Sequence, residues 1–143
     1  MHFVALCMVL SGLLGVTFSK IVVITVGGNT TSNAGLVFSP ESVVADLGDT
    51  VFFNFTQGNH TVTQSSFASP CIPIHETDST VNGFDSSFRD AGNGTAITNL
   101  PITVIDPNTT VWFFDFNTCG LGGVGGINVN QSSYQTLDGF QVL

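Results

Sequence analysis

The sequence predicts an all-β protein, a Greek-key β-sandwich or barrel. Three observations carry that expectation. Short apolar runs recur along the chain, punctuated by Gly, Pro, Asn and Asp. No segment sustains a helical period. In Thr50-Val-Phe-Phe-Asn-Phe-Thr56, Val51, Phe53 and Phe55 alternate onto one face with Asn54 on the other, the period of a half-buried strand.

In chain order the expected strands are Ile21–Val26, Leu36–Phe38, Ser42–Asp46, Thr50–Thr56, His60–Gln64, Ile97–Ile105, Val111–Phe116, Gly126–Val129 and Phe140–Leu143. Leu47-Gly48-Asp49 and Gln57-Gly58-Asn59 supply turn chemistry on either side of the fourth. Asp78 to Gly94 is the least regular stretch and reads as a long loop with room for one helical turn. No internal repeat and no composition shift marks a second domain. Of 15 aromatic residues, 13 are Phe, and most fall at core parity on these strands. Burying one such ring contributes roughly 1.5–3 kcal/mol, so core packing rather than ligand stacking accounts for them.

The first segment is a secretory leader by its pattern, residues 1–19, followed by a single domain over 20–143. A short n-region, Met1-His2, precedes an apolar run of about 14 residues from Phe3 to Val16, short of the roughly 20 that span a bilayer. Thr17-Phe18-Ser19 places small residues at the -3 and -1 positions of a cleavage site. Removing the leader removes Cys7 and leaves Cys71 and Cys119, an even count in an oxidising compartment. One disulfide is expected, contributing about 2–4 kcal/mol. The C-terminus is too short for a lipid-anchor signal, so no membrane insertion is expected once the leader is gone.

Charge excludes further classes. Only 8% of residues are charged, against roughly 25% in ordinary domains. Two basic residues, Lys20 and Arg89, face ten acidic ones, for a formal charge of -8. Nucleic acid and anionic lipid need clustered Lys and Arg, which the chain lacks. At 43% hydrophobic it is too apolar for general disorder. Solubility then rests on 13 Ser, 17 Thr and 11 Asn, and on glycans. Six sites fit Asn-x-Ser/Thr: Asn29, Asn54, Asn59, Asn93, Asn108 and Asn130.

No motif announces an enzyme. Gly120-Leu-Gly-Gly-Val-Gly125 matches the dinucleotide fingerprint in letters only, because Asn-, Gln- and Ser-rich sequence follows where a helix and a ribose-binding acid belong. There is no nucleophile elbow, zinc-protease motif or P-loop.

Several phrases resemble a known family. Phe38-Ser-Pro40, Gly48-Asp-Thr-Val51, Gly58-Asn-His-Thr-Val-Thr-Gln-Ser65 and Phe67-Ala-Ser-Pro-Cys71 are similar to those of fungal secreted cupredoxin-like proteins, relatives of plant phytocyanins. Phe84-Asp-Ser-Ser87, Val111-Trp-Phe-Phe114 and Val124-Gly-Gly-Ile-Asn128 continue the resemblance in the expected order. It implies a cupredoxin-type sandwich, with Cys119 at the structural cysteine and Cys71 as its partner. Copper-binding members use two His, one Cys and usually Met, a trigonal His₂Cys site with a weak axial ligand. The resemblance places the first His at His60. It places Asp115 where the ligand Cys stands, Thr118 where the second His stands, and Gly123 at the axial position.

A blue site needs a copper-bound thiolate, and a disulfide between the two remaining cysteines leaves none. The expected protein is therefore a secreted, glycosylated cupredoxin without type 1 copper, no enzyme, with a structural or recognition role at the cell surface or matrix. A wall, glycan or protein partner is compatible with that role. Two alternatives are a redox protein and a remodelled copper or zinc site in which His60, His75 and Asp115 converge, with Glu76 or Asp78 nearby.

Overall fold

A computed structural model of the chain describes residues 18–28, 30–92 and 99–141. Most of the leader, Cys7, the sequons at Asn29 and Asn93, and the ends of two expected strands (Ile97, Thr98, Val142 and Leu143) lie outside the described residues.

Among the described residues, ten short strands build the fold: β1 (Ile21–Val26), β2 (Phe38–Ser39), β3 (Ser42–Val43), β4 (Thr50–Phe55), β5 (Asn59–His60), β6 (Thr63–Ser65), β7 (Arg89–Asp90), β8 (Asn99–Thr103), β9 (Val111–Phe114) and β10 (Val124–Ile127). Two helical pieces, α1 (Ile74–Thr77) and α2 (Leu137–Gln141), join them. One sheet runs β2-β1-β4-β8 and the second β3-β10-β9-β6, with a separate β5-β7 ladder. β1 lies parallel to β4, and β3 parallel to β10. The other ladders are antiparallel.

Strand alternation fills the space between the sheets. Val51, Phe53 and Phe55 of β4 are fully buried, and Ile24 and Val26 of β1 join them. Phe113 of β9 enters the same core, its ring centroid 5.0 Å from Phe53 and 4.9 Å from Phe38 in edge-on geometry. Trp112 and Phe114 point the opposite way, onto the outer face of the second sheet. That face is not wet: Leu137 and Phe140 of α2, with Phe67, cover it as a second apolar cluster.

The expected fold class and the Cys71–Cys119 disulfide are both present; the cysteines lie 48 positions apart in sequence. Several expected elements differ in detail. The strand expected at Phe140–Leu143 is instead α2 as far as the described residues reach. Thr136 Oγ1 accepts the Gly139 N–H at 3.0 Å, and Leu137 and Phe140 are spaced to bury one helical face. The helical turn falls at α1, before Asp78, and the long loop contains β7. Asn128, at φ 57°, ends β10 early and takes the Ala45 backbone onto its own amide, which also shortens β3. The expected strand His60–Gln64 divides into β5 and β6, because the Thr61 and Val62 N–H groups bond to side chains instead of a neighbouring strand. Of the described phenylalanines, Phe38, Phe53, Phe55, Phe113, Phe114 and Phe140 are buried, whereas Phe18, Phe88 and Phe116 are exposed.

Candidate functional site

Asp115 immediately follows β9, at the end where the strand leaves the sheet. Its side chain is fully buried, with no exposed surface. A carboxylate there needs donors on both oxygens. Oδ1 accepts the Thr61 backbone N–H at 2.7 Å. Oδ2 accepts the Thr118 hydroxyl at 2.8 Å and lies 3.0 Å from His60 Nδ1. An ionised carboxylate only accepts, so Nδ1 carries the hydrogen and Nε2 is the nitrogen left free of the pair.

Each donor is placed by local chain geometry. β5 carries His60, and the chain between β5 and β6 turns the Thr61 N–H toward Asp115. Thr61 Oγ1 in turn accepts the Phe116 N–H at 2.9 Å, tying the two segments from the other side. Thr118 precedes the short 3-10 turn Cys119–Leu121, which begins at the disulfide. The Cys119 N–H donates to the Asp115 carbonyl at 2.9 Å. The disulfide therefore anchors the same turn that presents the Thr118 hydroxyl. Gly58, at φ 70°, lies against the free edge of the imidazole: a Cβ there would stand 2.8 Å from His60 Nε2.

Burial alone pushes the Asp115 carboxyl pKa up. The hydrogen bonds from His60, Thr61 and Thr118, with the attraction of His60, outweigh it and hold the group below the ordinary carboxylate value. The carboxylate is thus ionised and internally satisfied at neutral pH.

Gly123 closes the cluster. Its carbonyl accepts the Asp115 N–H at 3.0 Å and its N–H donates to the Thr118 carbonyl at 2.9 Å. A Cβ at Gly123 would collide with Thr118 Oγ1. The position has no room for a methionine while Thr118 holds Asp115.

His60, Asp115, Thr118 and Gly123 therefore lie together. His75 does not join them as a metal site: among the described residues no three His, Cys, Asp or Glu side chains gather where they could hold an ion. The donors that do converge do not suit type 1 copper. The position expected to hold a thiolate offers a carboxylate whose two oxygens are already engaged, and Cys71 and Cys119 are bonded to each other. Sequence reasoning missed the part of Thr61, although it directly follows His60 in a quoted phrase, and the close packing of Gly58 on the ring.

Among the described sequons, Asn59, Asn108 and Asn130 are exposed and Asn54 is half-buried on the outer face of the first sheet. Exposed side chains are compatible with a glycan. Among the described residues no helix is long and apolar enough to cross a membrane.

The arrangement of sheets has known counterparts. A purple cupredoxin from Nitrosopumilus maritimus superposes with a TM-score of 0.52 at 13% identity, covering 79% of this chain and all of that one. A Sinorhizobium pseudoazurin gives a TM-score of 0.45 at 16% identity over 80% of this chain and 76% of its own. The chain has a cupredoxin fold. In sequence, it is 39% identical over 62 residues to an extracellular serine-rich protein of Arthroderma benhamiae. That match covers 43% of this chain and only 22% of the relative's length. No protein-family profile matches the chain.

Proposed function

We propose that this is a secreted, glycosylated cupredoxin-fold protein that carries no type 1 copper and serves a structural or recognition role at the cell surface or in the extracellular matrix. The observation that carries the reading is the Asp115 cluster. Where the family resemblance puts the copper-bound thiolate, a buried carboxylate is bonded to His60, Thr61 and Thr118. The interactions that would present a metal to one face of the sandwich here knit the β5–β6 connection to the turn after β9. His60 acts as a donor in that knot rather than as a ligand.

Secretion is supported by the leader pattern of residues 1–19, by the disulfide and by the extracellular relative. Exposed sequons and scarce charge support glycosylation. The chemistry expected of a partner is neutral and polar, as in wall polysaccharide or a glycosylated protein, and not nucleic acid or anionic lipid.

The test is titration of the purified protein with Cu(II) and with Zn(II), followed calorimetrically. The expected result is no one-to-one site in the micromolar range. One-to-one micromolar binding that disappears in His60→Ala would overturn the reading in favour of a remodelled metal site.

A further inference from the structure

The start of β1 holds a carboxylate that the Asp115 cluster does not use. Asp49 is only 3% exposed, at the end of the turn that leads into β4. Its Oδ1 accepts the Lys20 backbone N–H at 2.9 Å, and its Oδ2 accepts the Asp46 N–H at 2.8 Å. The turn around it is fixed: Gly48 N–H donates to the Val104 carbonyl, and Val104 N–H to the Asp49 carbonyl, both at 2.8 Å. Lys20 is fixed too, since its carbonyl accepts the Thr50 N–H at 2.9 Å beside the first rung of the β1–β4 ladder. The Lys20 side chain reaches back, with Nζ 3.3 Å from Asp49 Oδ2 and 3.2 Å from Asp46 Oδ2. The charged groups facing this point are thus two carboxylates and one ammonium. Thr50 of β4 and Val104, just beyond β8, bring no charge.

The bond upstream of that nitrogen is Ser19–Lys20, which the Thr17-Phe18-Ser19 pattern marks for leader removal. We propose that Asp49 is the receptor for a processed N-terminus, the α-ammonium of Lys20. The inference rests on the secretion reading above. A leader-removing endopeptidase adds water across the Ser19–Lys20 peptide bond. The carbonyl carbon takes the hydroxyl and departs as the Ser19 carboxyl group, which releases its proton to solvent, and the Lys20 nitrogen takes the hydrogen. At neutral pH it binds one further proton from solvent. The nitrogen that now donates one amide N–H to Asp49 then carries a positive charge, and two ammonium groups balance two carboxylates. Cleavage at a bond further upstream would leave an amide at this point, and the Lys20 side chain as the one positive charge beside the buried carboxylate.

The linkage has a definite sign. An α-ammonium that gains a carboxylate on folding has a raised folded-state pKa. Its stabilisation is complete below the unfolded value, about 7.7–8.0, and fades as pH rises through the folded one.

The full chain is secreted from a eukaryotic host, deglycosylated, and its first residue is read by intact mass and peptide mapping. Urea unfolding is then followed from about pH 7 to about pH 9.5, and compared with a form whose cleavage site is moved so that Ser19 is retained. The expected first residue is Lys20. Across that range its unfolding equilibrium should shift toward the unfolded state by about ten-fold more than in the Ser19 form. Asp49→Asn in the Lys20 form should abolish that excess; should this variant fail to fold, the Ser19 form alone supplies the comparison. A secreted protein beginning elsewhere, or identical pH profiles for the two forms, overturns this inference and leaves secretion standing. A chain that stays inside the cell overturns both.

Discussion

Truncating Asp115 removes the centre of the cluster, and its cost follows from the bonds it holds. Asp115→Ala leaves the Thr61 N–H, the Thr118 hydroxyl and His60 Nδ1 without their shared acceptor, all at buried positions. Hydrogen bonds to a charged group contribute about 1.5–3 kcal/mol each, and the three are not additive. Relief of the buried carboxylate's own desolvation offsets part of the loss. The net expectation is destabilisation by about 3–5 kcal/mol, a large fraction of the roughly 5–15 kcal/mol that holds a domain folded. Asp115→Asn keeps the shape. Its carbonyl can accept from Thr61, and its amide can donate to Thr118 and to His60 Nδ1 once the ring hydrogen sits on Nε2 instead, so about 1–2 kcal/mol is expected. Urea unfolding followed by fluorescence of Trp112, the single tryptophan, reports both variants. The pH dependence adds a second check. The folded Asp115 pKa lies below its ordinary value of 3.8, so its contribution is complete above that value and is lost as pH falls through the folded one. The gap between the native protein and Asp115→Asn should therefore narrow in acid below about pH 4. Asp49, Asp78 and Asp106 are also held low, but they are common to both proteins and cancel in the difference. A cost below about 1 kcal/mol for Asp115→Ala, or a gap that widens in acid, would refute the reasoning.

Gly123→Ala should cost about 1–3 kcal/mol, because the new Cβ meets Thr118 Oγ1, which cannot withdraw without releasing Asp115; unfolding midpoints measure it. Replacing both Cys71 and Cys119 by Ser should lower stability by about 2–4 kcal/mol, with hydrogen exchange rising first in the turn that carries Thr118. Phe140→Ala should cost about 3–5 kcal/mol and expose Trp112, whose ring lies 4.5 Å from Phe140, so its emission should move to longer wavelength.

Local pattern made part of this fold legible. The alternation in β4 and the run in β1 name their own buried faces, and both strands stand where they were expected. Cysteine arithmetic after leader removal paired Cys71 with Cys119. Other features depend on partners far away in sequence. The chain from His60 to Gln64 has strand composition throughout, yet it divides because Asp115 and Ser86 capture two of its N–H groups. The last residues read as a strand because Phe140 and Val142 alternate, while the outer face of the second sheet needed a cover and Thr136 could start a helix. The Asp115 cluster joins residues 55 and 54 positions apart, so no local period marks it. A family resemblance named four of its members. It said nothing of Thr61, whose N–H completes the carboxylate's shell.

Metal content after secretion tests the central claim most directly. The full chain is produced in medium supplemented with copper, purified without chelator, and weighed by mass spectrometry under non-denaturing conditions. The expected mass is that of the disulfide-bonded chain with its glycans, with no stoichiometric copper and no intense visible absorption. One copper per chain, lost in His60→Ala, would contradict the account.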